Sequence, residues 1–142
     1  MTHAPAAVGL TRPTIAMDPA LEGRLARLAA GRTLVIDYFR SNTCGGVIGD
    51  LAAHWRRERP ADGFVALAAI EGVPIHVDAR LIDVLTDARP QLRPGGILRR
   101  GTPSIWLARP ERWIEFLNAP VPLRSRSGGT ESETSCPAGR PA

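Results

Sequence analysis

At 142 residues the chain is long enough for one hydrophobic core and not for two. Aromatic residues are only 5% of it, so that core has to be aliphatic, and all 18 basic residues are arginine, set against 14 acidic ones. The formal charge of +4 is modest, and the two signs are interspersed through residues 14–119, which argues against the one-sided basic face of a nucleic-acid binder.

Residues 1–12 are small, Pro- and Ala-containing and without periodicity, as expected of a flexible lead-in. A single domain is expected over residues 13–121. Thr14 to Met17 suits a short edge strand. Asp18-Pro19 is a helix start, because the carboxylate can accept from free backbone N–H groups and proline fits the first helical position. Leu21, Leu25 and Leu28 then recur at helical spacing, with Gly31 as a left-handed exit. The run from Thr33 to Phe39 is β-branched and aromatic and predicts a long strand. A turn holding Cys44, Gly45 and Gly46 separates it from a second strand beginning at Val47. In that strand Val47, Gly49, Leu51, Ala53 and Trp55 share one face, and Ile48, Asp50, Ala52 and His54 the other. Strand is preferred for Val47 to Asp50, with a helix from Asp50 to Arg59 left open.

Phe64 to Ile70 and Val73 to Val77, separated by Glu71-Gly72, read as a hairpin. Pro74 puts its second arm at an edge or just entering the sheet. Asp78 is a second helix cap, with Leu81, Ile82, Val84 and Leu85 facing inward and Pro90 as a stop. Leu92 to Gly96 is expected to turn. Ile97-Leu98 and Ser104 to Ala108 are late strands, and Pro110 opens a short helix carrying Trp113, Ile114, Phe116 and Leu117. Beyond about residue 122 no large apolar residue follows Leu123, and residues 122–142 are expected to form a disordered tail. No apolar run is long enough to cross a membrane, and the N-terminus lacks a basic-then-apolar signal pattern. A cytoplasmic location with two free thiols, Cys44 and Cys136, is the expectation.

The run Ile15-x-Met-Asp-Pro-Ala-Leu-x-x-Arg-Leu-x-x-Leu-Ala, followed by Leu34-Val-Ile-Asp-Tyr, resembles the start of the HesB/IscA-like proteins, the A-type iron–sulfur carriers. Cys44-Gly45-Gly46 stands where those proteins have their first cluster cysteine. Ile70-Glu-Gly-Val-Pro-Ile-His-Val-Asp, leading into Ala79-Arg-Leu-Ile-Asp-Val-Leu85, is similar to their strand-then-helix block. The likeness spans roughly residues 14–108. It implies an α+β fold, a compact HesB-like β-sandwich with flanking helices, and a protein that delivers iron or an iron–sulfur cluster, often as a dimer. The chain departs from the family pattern in one respect: where the family has a C-terminal Cys-x-Cys, Ile105-Trp-Leu-Ala-Arg-Pro-Glu-Arg112 contains no cysteine.

Cys44 is the candidate ligand, because such clusters want thiolates and a polar, glycine-opened turn lets a thiolate form and be approached. A plain thiol on a turn explains it as well. His54 and His76, with Asp37, Asp50 and Asp78, offer metal-ligand types, but no spacing forces them together, and solvent-facing positions on a half-exposed sheet account for them. Gly95-Gly96 and Gly45-Gly46 lack the residues of a phosphate loop or dinucleotide fingerprint, and no Gly-x-Ser-x-Gly elbow is present. The sequence therefore points to a non-enzymatic, HesB-like protein binding iron or an iron–sulfur cluster through Cys44 at a dimer interface. Two alternatives are a protein-binding module that kept the fold without the ligands, docking through the helix of Trp113 and Phe116, and a single-cysteine redox sensor.

Overall fold

Alternation of apolar and polar residues over the middle of the chain builds its longest elements, an antiparallel pair of eleven-residue strands, β2 (Thr33–Thr43) and β3 (Gly46–Arg56). The computed structural model describes residues 12–96, 101–119 and 130–133. β2 and β3 pair in unbroken register from Thr33 opposite Arg56 to Thr43 opposite Gly46. Leu34, Ile36, Tyr38, Leu51 and Ala53 are buried on the inner face. The strand reading thus holds through Arg56, and the helical alternative for Asp50 to Arg59 is corrected. Strict alternation keeps Leu51 and Ala53 on the buried face, whereas a helix would carry them apart.

Among the described residues, two mixed sheets and three α-helices make an α+β fold. In the larger sheet β2 lies between β3 and β5 (Val73–Asp78), and β4 (Phe64–Ile70) lies outside β5. β5 runs parallel to β2, with Leu34, Ile36 and Val77 all fully buried. Glu71 and Gly72 join β4 to β5 at φ of 50° and 76°, the left-handed pair that a two-residue hairpin requires. Of the two placements open to Pro74, entry into the sheet is the one found: the strand is internal, and the edge belongs to β4. Proline is tolerated because the β4–β5 register shifts between Leu67 and Ile70, opposite the residue that has no N–H to give.

The smaller sheet has the order β1 (Ala16–Met17), β6 (Pro90–Arg93), β7 (Ser104–Leu107). β1 is at its edge, as the sequence implies. β6 replaces the turn expected near Leu92: Leu92 is fully buried, and its carbonyl accepts from the Asp18 N–H at 2.8 Å. Ile97-Leu98 lies outside the described residues.

The first helix is not continuous. Asp18 accepts from the Ala20 N–H at 2.8 Å and caps a single 3-10 turn, Pro19–Leu21. The chain then opens at Gly23 (φ 71°) before α1 (Leu25–Ala29). Both oxygens of the distant Glu71 carboxylate accept from the Gly23 N–H, at 2.7 and 3.0 Å. A tertiary contact thus breaks a helix that local periodicity would have continued. The second helix follows expectation: Asp78 caps the turn Ala79–Leu81, α2 (Ile82–Ala88) follows, and Leu81, Ile82, Val84 and Leu85 are buried.

α3 (Glu111–Asn118) closes one side of the core. Tyr38 meets Trp113 and Phe116 edge-on at 6.2 and 5.0 Å between ring centres, and the latter two stack at 5.6 Å. Trp113 is 9% exposed and Phe116 is partly buried against the same core, so both aromatics are packed inward. The approach of α3 depends on a missing side chain: a Cβ at Gly49 would stand 2.5 Å from Leu117 Cδ2 and 2.7 Å from the Phe39 carbonyl oxygen. Gly49→Ala should therefore cost about 1–3 kcal/mol in urea denaturation. Gly45→Ala, whose Cβ has nothing nearer than 4.0 Å, should change stability by no more than about 0.5 kcal/mol.

Candidate functional site

The turn between β2 and β3 consists of Cys44 and Gly45 alone, with Thr43 and Gly46 paired across its base. The Thr43 hydroxyl donates to the Gly46 carbonyl oxygen at 2.7 Å, and Gly46 takes φ 127°. Cys44 is exposed, as the sequence implies for a cysteine on a glycine-opened bend. Its sulfur, however, is disulfide-bonded, and no described cysteine is free. The expectation of a free thiol at Cys44 is corrected. Cys136, the other cysteine in the sequence, lies outside the described residues.

A second strand end comes back to the same place. β8 (Thr130–Glu133) runs parallel to β2, with Phe39 opposite Thr130 and Asn42 opposite Glu133. β5 pairs with β2 only over residues 34–36, so the same edge of β2 is open farther along, and β8 lies there. Backbone donors and acceptors at a sheet edge seek partners whatever the side chains, which is why a Thr-Glu-Ser-Glu segment of the expected disordered tail forms a strand. Sequence periodicity gave no signal for it. The other residues from 120 onward lie outside the described residues.

Two features flank the turn. Phe39 and Ile48 are 44% and 53% exposed on the outer face of the hairpin, and they are diagonal neighbours because Ile48 pairs with Ser41. On the inner face Arg40 is 7% exposed. Its Nη2 donates to the Ala119 carbonyl oxygen at 2.6 Å, its Nε has no partner, and the strand register puts it opposite residue 131.

The histidines and carboxylates come together only in part, and at the opposite end of the same strands. His54 Nδ1 lies 3.7 Å from Asp37 Oδ1, and Arg56 Nε donates to His54 Nε2 at 3.2 Å, which leaves Nδ1 to carry the ring hydrogen toward Asp37. His76 sits in the same row, since His54 and His76 both pair with Val35, and its Nδ1 is buried with no hydrogen-bond partner. Asp78, 2% exposed, is committed to Arg80 through bonds of 2.9 and 3.1 Å. Asp50 accepts from the Leu51 N–H at 2.9 Å. Among the described residues no group of three or more His, Cys, Asp or Glu side chains is placed to hold a metal ion. The described residues do not by themselves form a ligand set for iron or a cluster: they provide one cysteine, and its sulfur is disulfide-bonded.

No protein-family model matches the chain, and no curated protein matches it. Among the described residues no helix is long and apolar enough to cross a membrane.

Burial raises the Asp37 carboxyl above its ordinary value of 3.8; His54 and Arg56 pull it back, and Asp78 pushes it up again. An acid whose folded-state pKa is raised binds its proton more tightly folded than unfolded. Ionised Asp37 therefore costs stability above its folded-state pKa, and the cost disappears as pH falls from that value to the unfolded one. Urea denaturation between pH 7 and pH 4 should show Asp37→Asn more stable than the parent chain at pH 7, with the difference shrinking toward pH 4.

Proposed function

We propose that this chain is a HesB/IscA-like carrier domain that receives and passes on iron or an iron–sulfur cluster as cargo, with Cys44 as a cargo ligand once its disulfide is reduced. The observation that carries this reading is the meeting of two chain segments at one exposed bend. β8 brings the chain to residue 133 opposite Asn42, two positions before Cys44 and three before Cys136 in sequence. A thiolate on a short glycine-opened turn can be approached by a metal ion or by another protein. The order of elements, from edge strand through capped helix and long hairpin to a second hairpin leading into a helix, agrees with the block order that the sequence resemblance is built on.

One chain does not complete a cluster site with its described residues, so the remaining ligands come from Cys136 or from a second copy meeting the first at the hairpin turn. The exposed pair Phe39 and Ile48 gives such a dimer an apolar contact beside the sulfur. In this reading the protein is a carrier and not an enzyme, its partners are proteins, and neither a nucleic acid nor a membrane is involved. A cytoplasmic location, where thiols are kept reduced, belongs to the same reading.

The second reading is a protein-binding module without metal. What favours it is the same Phe39 and Ile48 pair, which serves recognition whether or not sulfur is ligated. It moves the docking surface from α3 to the outer face of the hairpin.

Anaerobic purification with a reductant, followed by incubation with ferrous iron and sulfide, separates the two. The carrier reading expects a brown protein with stoichiometric iron, and loss of most of that iron in Cys44→Ser. A reduced protein that stays colourless and iron-free would overturn it and leave the binding module.

A further inference from the structure

We propose that the free edge of β4 receives an extended, acidic segment of another protein as an added strand, with Arg12 as the residue that selects the acid. The proposal goes beyond the carrier reading and is independent of Cys44 and of metal.

The two edges of the larger sheet differ in kind. β3, at one edge, carries Asp50, His54 and Arg56, side chains of the type that discourages further pairing. β4, at the other, is Phe64-Val-Ala-Leu-Ala-Ala-Ile70, with no charge and no proline. The Gly63 carbonyl oxygen accepts from the Ala79 N–H at 2.8 Å, which fixes the phase of the β4–β5 ladder. Backbone groups alternate along an antiparallel strand, so those of Val65 and Leu67 turn to β5 and those of Phe64 and Ala66 turn outward. The ladder shifts only after Leu67, so this outward set is regular up to Ala66. Ala66, Ala68 and Ala69 are exposed.

One side chain crosses that edge. Arg12 Nη1 donates to the Ala66 carbonyl oxygen at 3.0 Å. Residues 12–15 stand opposite residues 66–70 and form with them a groove of about 480 Å³, within the range that bound ligands fill. A second hollow shares Arg12 and Thr14 with the first and reaches Arg89. No acidic residue lines either one, and among the described residues no carboxylate pairs with Arg12 or Arg89. The Arg12 guanidinium gains by exchanging a neutral carbonyl for a carboxylate, whose charge-assisted bond is about twice as strong. A peptide with a glutamate beside the edge takes Arg12 off Ala66, and the freed carbonyl then accepts from the peptide N–H. Backbone pairing supplies the hold, and Arg12 supplies the choice of sequence. A neutral strand displaces Arg12 with nothing to compensate it.

Fluorescence anisotropy on the full chain with two labelled five-residue peptides tests this. One alternates valine and glutamate, and the other has glutamine in place of glutamate. The acidic peptide should bind about tenfold tighter at low salt, and the gap should close to within about twofold in Arg12→Gln. Arg12 is exposed, so that substitution leaves the fold intact. Hydrogen exchange followed by NMR should show the Phe64 and Ala66 amides slowed by saturating acidic peptide, with Val65 and Leu67, bonded to β5, unchanged. Equal affinity for the two peptides, no binding of the acidic one, or protection elsewhere than β4 overturns the proposal. A free chain that sediments as a dimer with Phe64 and Ala66 already protected also overturns it, and gives the edge to a second copy.

Discussion

The ladder between β2 and β3 is the constraint on which the rest of this structure depends. Its register sends Leu34, Ile36, Tyr38, Leu51 and Ala53 to one face, and the hydrophobic core of the described residues collects against them. A slip of β3 by one residue against β2 would turn Leu51 and Ala53 toward solvent and bring Ile48 inward. Because β2 is longer than β5, the same strand also presents an edge on which a later segment can lie. The core, the exposed turn and the seat of β8 thus share one cause.

Contacts at the far ends keep this frame closed. The Trp55 indole N–H donates to the Gly101 carbonyl oxygen at 2.6 Å, while Arg32 caps α1 through the Leu28 and Ala29 carbonyl oxygens and lies 5.5 Å from the centre of the Trp55 ring. The smaller sheet is thereby tied to the end of β3 opposite the Cys44 turn. Surface ion pairs such as Arg112 with Asp87, at 3.1 Å and half-exposed, add little beside the buried aliphatic contacts.

Much of the fold was legible wherever local rules and burial agree. β-Branched and aromatic content located the first long strand and alternation of faces the second, Glu71-Gly72 marked the hairpin turn, and Asp18 and Asp78 marked helix starts. The misreadings share a physical origin. Glu71 pulling on the Gly23 N–H splits the first helix, and nothing near Gly23 in sequence announces it. β6 contains Pro90 and two polar residues, and it is a strand because β1 and β7 lie on either side of it. β8 has no hydrophobic pattern at all; an open backbone edge placed it. At the candidate site, the exposed position of Cys44 followed from its glycines, whereas nothing in the residues of its own turn announces that its sulfur is disulfide-bonded. The sequence did not say what covers the aromatic face of the last helix, because an amphipathic segment does not state its partner; Tyr38 packs on Trp113 and Phe116 there.

Gly49 carries a consequence for variation in this protein. The hollow that its missing side chain leaves is filled by Leu117 from α3, two turns beyond the start of that helix. Positions 49 and 117 therefore share a single allotment of volume across a long stretch of chain. A homologue with alanine or valine at the first position should carry a smaller residue at the second, or tilt its last helix away from the hairpin. Covariation of these two sites would reflect steric exclusion and not chemistry at the nearby sulfur.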